Sequence, residues 1–304
     1  MKIIYNRPYN SELVLTIGSF DGIHLGHREI MKKTIQEAEH YNSDSALLTF
    51  SPHPLEVVAP TAAPKSLTSY HQKVELIKKF GINRIIFKRF TEDFAQLPYQ
   101  EFIEQYLVER FSVNKIIVGE DFRCGHQSQG TPDKIKELGD KYGFEVEKIP
   151  SIKIDDREIS STYIRELIKE GAVAKVKQQL GRNFKVEAKV ISGDGRGREL
   201  GYPTANLKPV TDYVLPPAGV YACRIKVGEE IYDGVVNLGY RPTFNKEEFS
   251  IEVNIFEFSD MIYEQNVELE FVKHIRGELD FSTEKELINY IEQDVQEAKK
   301  ILSI

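Results

Sequence analysis

Short apolar runs alternate with amphipathic segments through the first half of the chain. Leu13–Gly18 (LVLTIG), Ser45–Phe50 (SALLTF), Ile82–Phe87 (INRIIF), Asn114–Gly119 (NKIIVG) and Phe144–Ile149 (FEVEKI) have the length and composition of strands. Between them lie HREIMKKTIQEAEHY, SYHQKVELIKKF, PYQEFIEQYLVERF and DKIKELGDKY, which read as helices. This alternation predicts βαβ units and a parallel sheet with helices on both faces. A further helix is expected from about Thr162 to Glu170, stopped by Gly171, and another helical stretch reaches Leu180-Gly181-Arg182. The pattern then changes. FKVEAKVI, GVYACRIKV, EIYDGVVNLG, FSIEVNIFEF and NVELEFVKHI are strand-like and separated by turns, which predicts a small antiparallel barrel or sandwich. A last amphipathic helix closes the chain, capped by Ser282 or Thr283, with Leu287, Ile288, Ile291, Val295 and Ala298 on one stripe. The boundary is placed at residue 182, giving domains 1–182 and 183–304.

Charge narrows the function classes. The 304 residues carry a formal net charge of -7. Residues 1–182 hold 26 Lys+Arg against 25 Asp+Glu, and residues 183–304 hold 14 against 22. Neither half has the basic excess of a nucleic-acid binder, so any anionic ligand must be held by a local arrangement. The two cysteines, Cys124 and Cys223, are far apart and form no CxxC, which fits a reducing cytosol rather than a disulfide or zinc framework. No leader-like segment and no bilayer-length apolar run is read, so a cytoplasmic protein away from membranes is expected.

The first chemical signal is GSFDGIHLGH, Gly18–His27, at a predicted strand-to-helix junction. Such junctions lie at the carboxyl ends of parallel strands, where ligands sit. Gly18 and Gly22 permit a sharp turn, and Gly26 keeps the helix start bare. His24 and His27 share a helical face, beside free amides and a dipole that favour an anion. Phosphate oxygens that gain charge during transfer suit such donors. A metal pair is the weaker alternative, because no third ligand follows at a convincing spacing. Asp21 serves as a turn residue or N-cap as readily as a direct contact. In ISSTYIREL, Ser160, Ser161 and Thr162 are helix starters. Arg165 then falls in the first turn, where a cation is disfavoured unless an anion binds there. A solvated Arg165 paired with Asp155, Asp156 or Glu158 is the even alternative. TFSPHP, with Phe50 and His53, and VGEDFRCGHQSQG, with Asp121 and Phe122, end strands on the same predicted edge. Phe50 and Phe122 are able to stack on a planar ring, although burial in the core is the commoner fate of Phe.

GSFDGIHLGH, TFSPHP, VGEDFRCGH and ISSTYIREL, in this order, resemble the adenylyltransferase half of bacterial bifunctional riboflavin kinase/FAD synthetases. The resemblance implies a Rossmann-like nucleotidyltransferase domain in which FMN phosphate attacks the α-phosphorus of ATP, giving FAD and pyrophosphate. It implies that His24 and His27 steady the ATP phosphates, that Gly18, Phe20, Asp21 and Gly26 line them, and that Ser161, Thr162 and Arg165 hold pyrophosphate. Phe50, His53, Asp121 and Phe122 would take the flavin. Cys124 stands where the family usually has a second aromatic, and Tyr163 where a basic residue is common.

The second signal is SGDGRGRELGYPTANL, Ser192–Leu207. Its glycines fit neither G-x-G-x-x-G nor a P-loop. A flap over phosphates built on Gly193 and Gly195 and closed by Arg196 or Arg198 is one reading; a plain flexible turn is the other. Thr204 and Asn206 alternate, so on a strand they point the same way, and their oxygens suit Mg²⁺ together with nucleotide phosphates. In SIEVNIFEF, Ile251, Val253 and Ile255 form one face, and Glu252 and Asn254 the other. A carboxylate there is able to take a proton from a hydroxyl. GYPTANL, GVYA, GVVNLGYRPTF and IEVNIFEF resemble the riboflavin kinase module of the same bifunctional enzymes. The resemblance implies a six-stranded antiparallel barrel with a C-terminal helix, Mg²⁺ on Thr204 and Asn206, and Glu252 as base. Riboflavin, FMN and ATP are the expected small-molecule substrates; the oligomeric state is not read. Asn254 replaces a common His and Glu264 a common turn Gly, so an FAD synthetase with a weak kinase module is the alternative. A flavin-binding regulator without turnover would not need Glu252.

Overall fold

The computed structural model describes residues 2–5, 9–193, 195–242 and 247–304. The chain forms two compact units, Met1–Pro64 with Tyr70–Ser160, and Lys65–Ser69 with Ser161–Ile304.

The first unit is built on six parallel strands: β1 (Lys2–Tyr5), β2 (Tyr9–Ile17), β3 (Asp44–Ser51), β4 (Arg84–Arg89), β5 (Phe111–Gly119) and β6 (Glu145–Ile149). Their order is β1-β4-β3-β2-β5-β6. Five of the six come from the apolar runs read in the sequence; β1 is an addition, paired in parallel with β4 at the sheet edge. The continuous apolar runs reflect burial on both faces: Leu13, Val14, Leu15, Ile116 and Ile117 are all fully buried. After β2 the chain steps to β3 on one side, and β5 later returns to β2 on the other. That reversal opens a crevice at the carboxyl ends of β2 and β5. The helix Leu25–His40 begins there. The helix read in PYQEFIEQYLVERF forms as Tyr99–Ile103 running into a π-helical turn, Glu104–Val108. The wider turn places the Tyr106 ring between the Lys88 ammonium, 4.3 Å from its centre, and the Arg110 guanidinium, 4.5 Å away.

Away from the crevice, Lys115 of β5 is 8% exposed and is held by Glu37 at 2.8 Å and Glu147 at 2.7 Å. Hydrogen bonds from Lys115, and then from Lys33, lower the Glu37 carboxyl to about 2. A depressed carboxylate stabilises the fold above its unfolded value and loses that contribution as pH falls through the folded one. After solvent screening the contribution is about 1 kcal/mol. Glu37→Gln is therefore expected to lower urea stability by about that amount at neutral pH, with the difference shrinking as pH falls from the ordinary carboxylate range toward about 2.

In the second unit, Lys65–Ser69 lies as a strap: the Ser66 amide donates to the Asp212 carbonyl at 2.9 Å, and the Val214 amide to the Ser66 carbonyl at 3.0 Å. A two-residue hairpin turn at Asp155-Asp156, both at positive φ, joins β7 (Lys153–Ile154) to β8 (Arg157–Glu158) in the first unit. The helices Ser161–Lys169 and Val173–Leu180 then end at Gly171 (φ 73) and Gly181 (φ 63), left-handed positions that cost glycine little. Six strands close the barrel: β9 (Phe184–Ile191), β10 (Ala205–Pro209), β11 (Gly219–Val227), β12 (Glu230–Pro242), β13 (Glu247–Ile255) and β14 (Asn266–Gly277). The order around it is β10-β13-β12-β11-β14-β9, with antiparallel neighbours throughout. Among the described residues the closed order leaves no edge strand. Phe184, Val186, Ala188 and Val190 alternate as buried positions along β9. The helix Glu284–Leu302 is capped by Thr283, whose hydroxyl accepts the Glu286 amide at 3.2 Å. Ala298 and Leu302 pack with Val220, Ala222 and Val235 of the barrel wall. Both the parallel α/β unit and the six-stranded barrel with its terminal helix are as the sequence leads one to expect.

Candidate functional sites

The first unit's site grows from the turn between β2 and the helix Leu25–His40. Phe20 (φ 47) and Ile23 (φ 41) hold left-handed backbone that branched and bulky residues avoid. Each costs about 1–2 kcal/mol. Burial offsets that cost: both side chains enter a cluster with Met31, Leu47, Ile77 and Phe87. Gly18 has no Cβ because one would lie 3.1 Å from the Phe20 ring. The strained turn delivers His24 to the N-cap, where its Nδ1 accepts the His27 amide at 3.3 Å. With Nδ1 as acceptor, the neutral ring carries its proton on Nε2. Gly26 leaves room for this ring, since a Cβ there would sit 3.2 Å from His24 Nδ1. The His24 and His27 rings stack at 3.6 Å and 17°.

His24 is 7% exposed and His27 half-buried. Burial first, then His24 and Lys73, hold the His27 imidazole well below its ordinary pKa, so it is uncharged at neutral pH. Among the described residues its buried Nδ1 has no hydrogen-bond partner. No acidic side chain lies in the first helical turn to compete for the amides. Asp21 is buried beside this turn. Sequence reasoning missed Lys73, from the helix Tyr70–Phe80, whose ammonium donates to the Ser19 carbonyl at 2.8 Å.

Beyond the ends of β3 and β5 lies a cavity of about 390 Å³ whose lining includes Phe50, Phe90, Phe94, Phe102, Phe122 and Cys124. Its rings interlock edge to face, Phe50–Phe90 at 5.5 Å and Phe94–Phe102 at 5.7 Å. Phe50 and Phe122 are thus brought together; His53 and Asp121 do not line this cavity. His53 caps the short helix Pro54–Val58, its Nδ1 accepting the Leu55 amide at 3.2 Å while Glu56 accepts its own amide at 3.1 Å. The Asp121 carboxylate lies over Gly119, where a Cβ would come within 2.8 Å of Oδ1. Burial pushes the Cys124 thiol up to about 12, so it is unreactive at neutral pH.

In the second unit, Ser161 and Thr162 open the helix Ser161–Lys169, and Arg165 donates its Nε to the Lys65 carbonyl at 2.7 Å. On the barrel, Asn206 of β10 stands directly opposite Glu252 of β13. The Thr204 hydroxyl donates to Glu252 at 3.5 Å. Asn206 is 9% exposed, roofed by the glycine loop: a Cβ on Gly193 would fall 1.9 Å from its Nδ2, and one on Gly197 3.1 Å from Thr204 Oγ1. Gly195 holds φ 76. The Arg198 side chain lies outside the described residues. Asn254 Nδ2 donates to the Pro203 carbonyl at 2.8 Å, bracing the approach to Thr204. Glu264 takes φ 66, yet the turn keeps its bond from the Glu264 amide to Val190 at 2.9 Å, and the carboxylate pairs with Lys189. Among the described residues no cluster of three His, Cys, Asp or Glu could hold a metal. Thr204, Asn206 and Glu252 instead gather hard oxygens under a cradle that a Cβ would fill, a donor set that fits Mg²⁺.

Two family models match the chain: FAD synthetase over residues 6–163 and riboflavin kinase over residues 180–302. A Bacillus subtilis protein described as bifunctional riboflavin kinase/FMN adenylyltransferase is 38% identical over 296 residues, covering 95% of this chain and 92% of that one. A Haemophilus influenzae protein of the same description is 37% identical, covering 94% and 92%. A solved Streptococcus pneumoniae structure, described as a macrolide-efflux protein, matches with a TM-score of 0.88 at 27% identity over 98% of both chains. Among the described residues no helix is long and apolar enough to cross a membrane.

Proposed function

The chain belongs to the bifunctional riboflavin kinase/FMN adenylyltransferase family, and from that premise we propose which of its residues carry each transfer. It phosphorylates riboflavin to FMN with ATP, and it transfers AMP from ATP to FMN, giving FAD and pyrophosphate.

Adenylyl transfer is assigned to residues 1–182. An FMN phosphate oxygen attacks the α-phosphorus, and the bond to the β-phosphate oxygen breaks. His24 and His27 donate to phosphate oxygens as their charge grows, beside the helix amides near Gly18, Phe20, Asp21 and Gly26. Ser161, Thr162 and Arg165, at the start of the helix Ser161–Lys169, are assigned to pyrophosphate on the family resemblance. Phe50 and Phe122 stack the isoalloxazine in the aromatic cavity, and His53 and Asp121 are assigned to the flavin from outside that lining. No protein nucleophile is required; placement and electrostatics supply the rate.

Phosphorylation is assigned to residues 183–304. Glu252 takes the proton of the ribityl 5′-hydroxyl as its oxygen attacks the γ-phosphorus and ADP leaves. Gly193, Gly195 and Arg198 cover the phosphates. Thr204 and Asn206 would hold Mg²⁺, which when bound neutralises charge on the phosphoryl oxygens. The ordered turn at Glu264 favours a working kinase module over a silent one. We place the enzyme in the cytoplasm, acting on small molecules rather than nucleic acid; its near-neutral first half and acidic second half support that.

The observation that carries this reading is a glycine-bracketed cradle in each unit, Gly18–His27 in one and Gly193–Asn206 under Glu252 in the other. Incubation with riboflavin and Mg·ATP, then separately with FMN and Mg·ATP, tests it by resolving the flavins. FMN and FAD in the first and FAD in the second are expected; binding without either product would overturn it. Gly193→Ala should cut riboflavin phosphorylation by about 100-fold, because its methyl displaces the Asn206 amide, and leave FAD formation from FMN intact.

A further inference from the structure

We propose that Lys73 is a positioning residue for adenylyl transfer: its ammonium, seated on the Ser19 carbonyl, holds the left-handed turn that sets the His24–His27 pair. The proposal rests on the reading that this pair serves the transfer. The Ser19 carbonyl is the last fixed point before Phe20 enters positive φ. It accepts two donors from different elements, Lys73 Nζ at 2.8 Å from the helix Tyr70–Phe80 and the Thr49 hydroxyl at 3.1 Å from β3. Thr49 is fully buried and cannot move without the sheet. A charge-assisted bond from Lys73 is the stronger of the two. It opposes relaxation of a turn that stores strain at Phe20 and Ile23. If the turn relaxed, the His24 cap and the ring stacked on it would shift together, since the His24 ring accepts the His27 amide and lies 3.6 Å from the His27 ring. Lys73 also puts a positive charge beside the uncharged His27 imidazole, where an anion is to bind.

The test compares Lys73→Met, Lys73→Gln and Lys73→Arg with His27→Ala in the full chain. It reads kcat and KM for FMN in FAD formation, and riboflavin phosphorylation in the same samples. Met keeps length and packing without charge. It is expected to lower the adenylyl-transfer kcat by about 100-fold, the scale of a small misplacement of reacting groups. Gln should do the same. Arg should restore most of the rate, with KM for FMN and kinase turnover at parental values throughout. Met at the parental rate overturns the proposal, as does Arg as poor as Met in protein that still takes FMN with parental KM. If Met does not fold, the Gln and Arg variants decide by the same criteria. Parental FAD formation in His27→Ala would instead sink the reading beneath it, whatever Lys73 does.

Discussion

Glu252→Gln is expected to cut FMN formation from riboflavin by about 10²–10⁴-fold while leaving FAD formation from FMN untouched. Gln has the same shape and is able to keep the contact with Thr204, whose hydroxyl reaches Glu252 at 3.5 Å. It stays opposite Asn206 in the same strand register. What it loses is the capacity to accept a proton. General-base catalysis is worth about 10²–10⁴-fold, so kcat should fall by that factor, with KM for riboflavin and ATP little changed. In barrier terms the loss is about 3–5 kcal/mol. Chromatography of flavins from both reactions checks it. Equal loss of both activities would refute the division of the chain into two working halves.

His27→Ala is expected to give the mirror result, with FAD formation lost and riboflavin phosphorylation kept. The His27 ring is uncharged, stacked on His24, and its buried Nδ1 has no partner among the described residues. A donor aimed at developing phosphoryl charge is worth about 10²–10³-fold, or about 3–4 kcal/mol. His27 is the cleaner of the two positions to change. His24→Ala would also remove the helix cap, costing about 1 kcal/mol of stability, and so would mix two effects. Rapid-quench measurement of FAD from FMN and Mg·ATP, with the kinase rate as the folding control, separates them.

Much of this organisation is legible in the sequence because it is periodic. The buried strands β2 to β5 announce themselves by their apolar runs, and Glu252 and Asn254 as the polar positions between Ile251, Val253 and Ile255. Thr204 and Asn206 are readable for the same reason, whereas the need for Gly193 depends on the Asn206 amide packed against it. What was not legible depends on partners distant in the chain. The edge strand β1 is four residues long and exists through pairing with β4. Lys65–Ser69 has no period of its own and becomes a strap only against Asp212–Val214. Lys73 sits on an amphipathic helix whose buried face, Val74 and Ile77, is readable, so its charge looks like one more solvated position. Nothing local says that it reaches the Ser19 carbonyl. His53 shows the converse, a residue type suited to ligand binding whose ring nitrogen caps a short helix.

The most direct measurement is a crystal structure of the whole enzyme with a non-hydrolysable ATP analogue. Two bound nucleotides are expected. One triphosphate should lie with oxygens about 3 Å from the His24 and His27 ring nitrogens and the amides near Gly26, and the other beneath Gly193 beside Thr204 and Asn206. Both imidazoles packed among side chains with the phosphates elsewhere, or a single nucleotide shared by the chain, would contradict it.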